Sequence, residues 1–456
     1  MATDSPRRDF EWRLHLAHKL SQHKIACIIG SNKQISTIHK KSRDCVFFGR
    51  FQTNSGRAAT DLEFIKAMKK NGTKMFFLHD EGAFYLKGAY NNFVKTIYPI
   101  DYLNYPQIEK VYCWGERQKT SMEKIGVSTE KIKICGAPRF DLARPEYSHL
   151  DQRRTQALKK RYGSFTLICS RFAIANKGPS DPAPLGKRVR HLRSEGTLEA
   201  ERSEDLTLNL FNGWSKVVHE FADFIPMIAK LALNFPEEHF VVRPHPAEAQ
   251  SFYMDSLSHF DNVSITKEGD VRPWIRGSRI VIQSECTTGL EAYISGIPTL
   301  NFQPECYDFD DYKVAGLSDV GVVVTSYQEL EFEYRKALCG SSQVSGRTEV
   351  KDYLYNLAPA RAATDVIVED IVSYIEEAEL QSTITLPSLA GYLRGEAKRV
   401  GRKLKDAPLR PTSRGFSPED SKHFEFDADS IRSLWKDMGG LASDLTIKRG
   451  MVLTCW

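Results

Sequence analysis

Short apolar runs alternate with longer amphipathic stretches along the first third of the chain. These runs lie at 24–30, 44–49, 73–79, 110–115 and 131–136. Most of them lack the alternation of a half-exposed strand, so they predict parallel strands covered on both faces and joined by helical crossovers. The stretch at 60–72 has helical spacing and ends in Asn71-Gly72, a common helix stop, which supplies one crossover. The pattern therefore predicts a Rossmann-like domain over 1–155.

A second series of apolar runs follows, with helical stretches at 221–236 and 287–296 between its members. The runs lie at 164–170, 237–246, 262–269, 278–285, 297–302 and 320–326. They predict a second Rossmann-like domain over 156–380. The polar, Pro-, Gly- and charge-rich segment 176–205 is interpreted as a long loop inserted in this domain.

Beyond 380 the pattern weakens, and we expect a basic C-terminal extension with helical character over 381–456. The predicted fold class is therefore α/β, with two Rossmann-like domains that face each other across a cleft. Ligands of such sheets bind at the carboxyl ends of the strands. Candidate chemistry is best sought there.

Composition narrows the class of protein. The 456 residues are 41% hydrophobic, and 63 Lys and Arg against 58 Asp and Glu give a net charge of only +5. That excess of positive charge is too small to predict a protein that binds nucleic acid over its surface. No window approaches the ~18 apolar residues of a membrane span, and charges interrupt the first twenty residues, so a cytoplasmic protein is expected.

Nine cysteines are scattered singly, without a CxxC pair. An odd number without ligand spacing favours reduced, structural thiols over disulfides or a thiolate metal site.

The sequence RPHPAE at 243–248 directly follows an apolar run, which puts it at the carboxyl end of a predicted strand. Two prolines fix the backbone on either side of His245. His245 could donate to a phosphate oxygen, and Arg243 could add a charge-assisted fork. The alternative is a rigid turn with a capping histidine.

The sequence SECTTG at 284–289 also follows a predicted strand and opens a predicted helix. Hydroxyls and a glycine at a helix start offer backbone N–H groups, side-chain donors and the positive end of the helix dipole, a combination suited to phosphate. A plain helix cap is the alternative. The residues predicted to bind the nucleotide of the donor substrate are Ser284, Thr287, Thr288 and Gly289. Glu291 is a further candidate for contact with the donor substrate or the acceptor substrate.

Candidate acids lie in the first domain. Asp80 and Glu81 follow the strand at 73–79, and Gly82 allows a tight turn that points one carboxylate into the cleft. Such a carboxylate could take the proton of an acceptor hydroxyl; a solvated loop is the alternative. Asp141 could be a second catalytic carboxylate and Arg139 an anion contact, although both could equally form a salt-bridged linker.

Together these stretches resemble bacterial GT-B glycosyltransferases of surface-polysaccharide biosynthesis, most closely those using CMP-activated acid sugars, the sialyltransferases and the retaining β-Kdo transferases. In the sialyltransferases a D/E-D/E-G motif carries the base, and HP and S/T motifs hold the CMP phosphate and cytidine. The residues that correspond here are Asp80-Glu81-Gly82, His245-Pro246, Ser284, Thr287 and Thr288. The resemblance spans about 24–305, and the 176–205 insertion and the long C-terminal tail depart from it.

The resemblance implies transfer of Kdo or a related acid sugar to a cell-surface polysaccharide, such as lipopolysaccharide or capsule, or to a lipid-linked glycan. Retaining β-Kdo transferases imply a double displacement, for which Asp141 as nucleophile and Glu81 as acid or base are candidates; carboxylates about 5 Å apart would fit. If Asp141 is structural, a single displacement with Glu81 or Asp80 as base remains. No cofactor and no metal are expected, because the phosphate loops supply the donors.

Two other functions remain open. Teichoic acid glycerophosphate polymerases look similar in the second domain, so the donor could be CDP-glycerol or CDP-ribitol. The chain could also bind a nucleotide or glycan without turnover. The basic stretch 392–403 could contact the inner membrane peripherally, or it could be a solvated helix face.

Overall fold

The structure is a computed structural model. It describes residues 1–3, 6–39, 42–50, 58–80, 84–87, 94, 100–176, 203–304, 310–340, 350–357, 360–380, 428–448 and 451–454. These residues form two compact units. Unit 1 takes its described residues from Met1–Ala83, Asn91–Leu142 and Tyr353–Trp456, and unit 2 takes them from Phe84–Tyr90 and Ala143–Asp352.

The strands and helices alternate along most of the described chain. The strands are β1 Ala2–Thr3, β2 Cys27–Ser31, β3 Val46–Gly49, β4 Lys74–Leu78, β5 Ile108–Cys113, β6 Ile132–Ile134, β7 Phe165–Cys169, β8 His239–Arg243, β9 Val263–Ile265, β10 Ile280–Gln283, β11 Thr299–Phe302, β12 Val322–Val324, β13 Leu445–Lys448 and β14 Met451–Thr454. The helices are α1 Pro6–Gln22, α2 Asn32–His39, α3 Ala58–Asn71, α4 Ile100–Leu103, α5 Glu116–Lys124, α6 Pro138–Asp141, α7 Gln152–Tyr162, α8 Ser203–Asn234, α9 Gln250–Leu257, α10 Val271–Gly277, α11 Thr287–Ile294, α12 Tyr327–Leu338, α13 Val350–Tyr353, α14 Ala363–Glu377 and α15 Ala428–Asp437.

Unit 1 contains a parallel sheet in the order β3-β4-β5-β6. Neighbouring residues of β4, such as Phe76 and Phe77, point to opposite faces, yet both are buried. Both faces of the sheet are therefore covered, as the unbroken apolar runs predicted. Four of the five predicted strands of the first domain pair in this sheet.

The fifth predicted strand, β2, belongs to a second sheet of unit 1, in the order β1-β2-β14-β13. β14 runs antiparallel to β2, with Val452 opposite Ile29. The pairing joins residues near 30 to residues near 450 in one unit. The region 381–456, which we expected to be a separate extension, thus contributes strands and α15 to unit 1.

The predicted boundary at 380 also differs from the structure. α14 packs against α1 and α6 of unit 1, and the side chains of Lys19 and Asp365 form an ion pair of 2.5 Å. Sequence periodicity holds no information about which unit a helix such as α14 packs against. The chain therefore returns to unit 1 at about residue 353.

Unit 2 is built on a six-stranded parallel sheet in the order β12-β11-β10-β7-β8-β9. Read from its far end, this is the strand order of a doubly wound Rossmann sheet, with β7 as the first strand. The chain leaves β7 toward β8 and then crosses back to β10 on the other side. The switch point where ligands of this architecture bind is therefore the carboxyl edge between β7 and β10.

No described helix is long and apolar enough to cross a bilayer. The predicted loop 176–205 lies almost wholly outside the described residues, and α8 begins within it at Ser203. The basic stretch 392–403 lies outside the described residues as well.

Candidate functional site

Ser170 and Arg171 follow β7 at the switch point and contact the loops on either side. The Ser170 hydroxyl donates to Glu248 Oε1 at 2.8 Å and accepts the His245 amide at 3.3 Å. Arg171 Nε donates to the carbonyl oxygen of Ser284 at 2.8 Å. Two consecutive residues therefore hold the two loops for which phosphate binding was predicted.

Glu248 organises the loop after β8. Its carboxylate is 3% exposed and accepts from the Phe172 amide at 2.8 Å, the Tyr253 hydroxyl at 2.5 Å and the His245 amide at 3.3 Å. Lys267 donates to the carbonyl oxygens of Pro246 and Glu248 from below the same loop. Burial raises the pKa of Glu248, and its hydrogen-bond donors oppose that rise.

The His245 side chain is exposed at the tip of this loop. Its Nδ1 accepts the backbone amide of Ala247 at 3.2 Å. An imidazole nitrogen that accepts a hydrogen bond carries no proton, so neutral His245 bears its proton on Nε2. In that state the exposed ring of His245 carries its N–H donor at Nε2.

Arg243, predicted as a phosphate ligand, is 9% exposed and contacts its own unit. Its terminal nitrogens donate to the carbonyl oxygens of Glu268 at 2.6 Å and Gly269 at 3.0 Å. The guanidinium also lies over the Trp274 ring, 4.9 Å from the centroid. These contacts support a role for Arg243 in holding the 268–269 loop.

The loop between β10 and α11 is tightly built. The Cys286 amide donates to Gln283 Oε1 at 2.6 Å, and a Cβ added at Gly289 would lie 2.6 Å from Gln283 Cδ. Glycine is therefore required where α11 passes the Gln283 side chain. Ser284 is fully buried, and its hydroxyl has no hydrogen-bond partner among the described residues.

The other predicted ligands of this loop differ in exposure. Thr287 and Thr288 are half-buried in the first turn of α11, where backbone N–H groups lack partners within the helix. Glu291, one turn later, is 4% exposed. The threonines are thus placed for a ligand at the helix start, whereas Glu291 belongs to the buried face of α11.

Glu285 lies in this loop with a backbone φ of +41°, a left-handed conformation that costs a non-glycine residue about 1 kcal/mol. Its side chain is fully buried and contacts Arg171 Nη2 at 2.5 Å and Lys216 Nζ at 2.7 Å. Glu220 contacts the same two cations. Two carboxylates and two cationic side chains thus form a charge-balanced network around the buried Glu285 side chain.

In unit 1, Asp80 follows β4 at the carboxyl end of the sheet. Its oxygens accept from Arg13 Nη2 at 2.8 and 2.9 Å, and Arg50 Nε lies 3.9 Å away. Burial raises the pKa of Asp80, and the Arg13 guanidinium opposes that rise. Glu81 and Gly82, the rest of the predicted motif, lie outside the described residues.

A pocket of about 10 Å³, the size of one water molecule, adjoins Asp80. Its lining residues come from α1, the end of β4 and the two residues after it, the residue after β5, and the start of α6 with the residue before it: Trp12, Leu78, His79, Asp80, Trp114, Ala137, Pro138 and Arg139. The structure thus brings Asp80 and Arg139, two of the predicted site residues, to one pocket.

Asp141 is fully buried and surrounded by donors. Its oxygens accept from Asn356 Nδ2 at 2.5 Å, the Ala363 amide at 3.0 Å, and the Thr364 amide and hydroxyl at 2.7 and 2.6 Å. It therefore caps the first turn of α14. This geometry leaves no carboxylate oxygen for an anomeric carbon and does not support the predicted nucleophile.

Sequence reasoning missed four residues on which the site of unit 2 depends. Ser170 and Arg171 stood at the end of an apolar run without a recognisable motif. Glu248 and Glu285 stood inside the quoted motifs, but only tertiary structure reveals the donors that each one collects. An acid in the second position after a strand end was the one available signal for Glu285.

The described residues contain no group of three or more His, Cys, Asp or Glu that could hold a metal ion. Seven cysteines fall within them as free thiols: Cys27, Cys45, Cys113, Cys135, Cys169, Cys286 and Cys339.

No protein-family model matches the chain. It is 29% identical to protein FixF of Sinorhizobium fredii over 121 residues, which are 26% of this chain and 28% of that protein. The chain therefore spans little more than a quarter of that curated relative.

Three solved structures illustrate the chains with a similar path. Staphylococcus aureus MnaA in complex with UDP is 12% identical, with a TM-score of 0.45 over 81% of this chain and 95% of that chain. The UDP-GlcNAc 2-epimerase of Methanocaldococcus jannaschii is 11% identical, with a TM-score of 0.43 over 73% and 77%. The wall teichoic acid polymerase TagF is 12% identical, with a TM-score of 0.42 over 74% and 73%. Identities this low leave the activity to be argued from the site.

Proposed function

We propose that this chain is a glycosyltransferase of the GT-B type that takes an acid sugar, Kdo or a sialic-acid-like sugar, from a CMP-sugar. The acceptor is a cell-surface polysaccharide or a lipid-linked glycan. One observation carries the proposal: Ser170 and Arg171 join the His245 loop and the 284–289 loop at the switch point of a Rossmann-ordered sheet.

Several features of these loops support binding of a nucleotide phosphate. His245 has an exposed ring, and its Nε2–H group can donate to a phosphate oxygen. Thr287 and Thr288 add hydroxyls in the first turn of α11, whose dipole and N–H groups favour an anion. The buried Ser284 hydroxyl has a donor to spare beside them.

The reaction follows as a single displacement. An acceptor hydroxyl attacks the anomeric carbon, the bond from that carbon to the CMP phosphate oxygen breaks, and a carboxylate takes the hydroxyl proton. Asp80 and the adjacent Glu81 are the candidate bases, and the ion pair with Arg13 fixes Asp80 beside its pocket. Because the capping role of Asp141 removes the second carboxylate, we propose inversion at the anomeric carbon.

The loops supply donors where other transferases use a divalent cation, so the proposal includes catalysis without metal. Turnover is expected to persist in excess EDTA. Loss of turnover in chelator, restored by Mg²⁺ or Mn²⁺, would contradict this part.

Calorimetric titration with CMP, CDP, UDP and GDP tests the donor. We expect CMP to bind most tightly and His245→Ala to weaken it about tenfold, the equivalent of one charge-assisted hydrogen bond. His259→Ala, a change of another exposed histidine of unit 2, is the matched control. Preference for CDP, with transfer from CDP-glycerol, would replace the acid-sugar donor by a polyol phosphate. Binding of CMP without transfer from any CMP-sugar would leave a binding protein.

A further inference from the structure

Residues 84–87 follow the Asp80-Glu81-Gly82 motif in the sequence, yet they belong to unit 2. Leu86 forms an antiparallel bridge with Val314, and the Lys87 amide donates to the Lys313 carbonyl oxygen at 3.0 Å. Residues 84–87 therefore pair with the segment at 313–315 within unit 2.

The segment at 313–315 also contacts Glu285, which lies in the 284–289 loop. The Ala315 amide donates to the Tyr85 carbonyl oxygen at 2.8 Å, and the Val314 amide donates to Glu285 Oε1 at 3.1 Å. Glu285 thus carries a hydrogen bond from the loop at 313–315 on one oxygen. Its other oxygen is held by Arg171 and Lys216.

The backbone of Glu285 is part of the 284–289 loop, and its left-handed φ makes loop conformation and side-chain direction interdependent. A phosphate bound to that loop restricts the same backbone. If a ligand favours this backbone conformation and the contact from Glu285 to Val314 together, linkage requires that the contact favours the ligand by the same free energy.

We propose that Glu285 is a positioning residue that links nucleotide binding at the 284–289 loop to the ordering of residues 84–87. The inference rests on the proposed function, because it takes a nucleotide phosphate as the ligand of the loop.

Hydrogen–deuterium exchange of the full chain, with and without saturating CMP, tests the link. In the wild type we expect CMP to slow exchange about fivefold at the Lys87, Val314 and Ala315 amides, all three of which donate within this network. In Glu285→Gln, which keeps the shape but loses the charge, the slowing caused by CMP should fall below about twofold. Glu331→Gln, on α12, is the matched control and should behave as the wild type.

The readout is the difference between bound and free protein. A merely structural Glu285 would change exchange equally in both states and leave that difference intact, which would overturn the proposal. A second variant, Val314→Pro, removes the amide that donates to Glu285 and leaves the buried charges in place. Its exchange at Lys87 without CMP must equal that of the wild type, which shows that the bridge between Leu86 and Val314 is intact. The variant should lose the CMP effect at Lys87 while calorimetry still detects CMP.

Calorimetry on the same samples separates the two proposals. If wild-type protein binds CMP but shows no slowing at these amides, the link is wrong and the nucleotide site stands. If no cytidine nucleotide binds at all, both fail.

Discussion

Arg171 reaches the loop after β10 by two routes, donating from Nε to the Ser284 carbonyl oxygen and from Nη2 to the Glu285 carboxylate. The first contact fixes the backbone of the 284–289 loop, and the second neutralises the fully buried acid Glu285. A planar guanidinium makes both contacts at once, which an ammonium group does not. The site therefore depends on the fork of this arginine as well as on its charge.

Arg171→Lys should accordingly keep the fold and weaken CMP binding about tenfold, because the contact to Ser284 is lost while the charge remains. Calorimetry measures the change. Arg335→Lys, in an exposed pair with Glu331 on α12, is the control and should bind CMP as the wild type does. Equal affinities for all three proteins would remove Arg171 from the site.

Gly289→Ala should lower the free energy of unfolding of unit 2 by about 1–3 kcal/mol, because the new methyl group would overlap the buried Gln283 side chain. Urea unfolding measures the loss. Gly213→Ala is the matched control, since its Cβ would lie 3.5 Å from Tyr312 Cδ1 in ordinary contact. Within α8 this change should be neutral or stabilise by up to about 1 kcal/mol. Equal effects at both positions would refute the packing argument.

Asp141→Asn should destabilise unit 1 by about 3 kcal/mol. The new NH₂ group is itself a donor and would face N–H groups that now donate to the carboxylate. Differential scanning calorimetry would register the drop. Asp365→Asn, a change in the half-exposed pair with Lys19, should cost less than about 1 kcal/mol.

The same variant separates a cap from a nucleophile. If Asp141 only caps α14, the folded Asp141→Asn protein should retain most of its transfer rate at low temperature. A fall of about a thousandfold or more with unchanged stability would restore the double displacement.

His18 should make unit 1 less stable in mild acid. Burial, aided by Lys19, lowers the pKa of His18 below its usual 6.5, and the ring packs edge-on against Trp435 at 5.1 Å between centroids. The unfolded chain then takes up a proton near pH 6.5 that the folded protein refuses. The free energy of unfolding falls as the pH drops below that value.

Thermal unfolding from pH 8 to 5 checks this sign. His18→Gln should remove part of the decline, whereas His23→Gln, a change of an exposed histidine of the same unit, should not. Superimposable profiles for wild type and His18→Gln would rule out this source of the pH dependence.

The apolar runs predicted the sheets well because burial on both faces of a parallel sheet leaves a direct record in the sequence. Phe76 and Phe77 are adjacent and both buried, which an exposed sheet would not allow. The same logic gave the strand ends, and hence the positions of His245 and Ser284. The apolar runs could not predict that β2 pairs with β14, because β14 lies more than four hundred residues away in sequence.

Side-chain roles were harder to predict than positions. Asp141 and Asp80 are both acids near strand ends, yet one caps a helix and the other pairs with an arginine. Their environments come from α14 and α1, which lie far from them in sequence. The local sequence predicts the position of a carboxylate relative to its strand, but it does not predict which donors from distant parts of the chain surround that carboxylate.

The pairing of β14 with β2 also bears on the order of events during synthesis. In the sequence, both segments of unit 2 precede the last segment of unit 1, so all of the described residues of unit 2 are synthesised before α14, β13 and β14. Domains fold as units once their residues have emerged. Unit 1, which contains α1 and β2, therefore lacks part of its structure until the described residues of unit 2 have been synthesised.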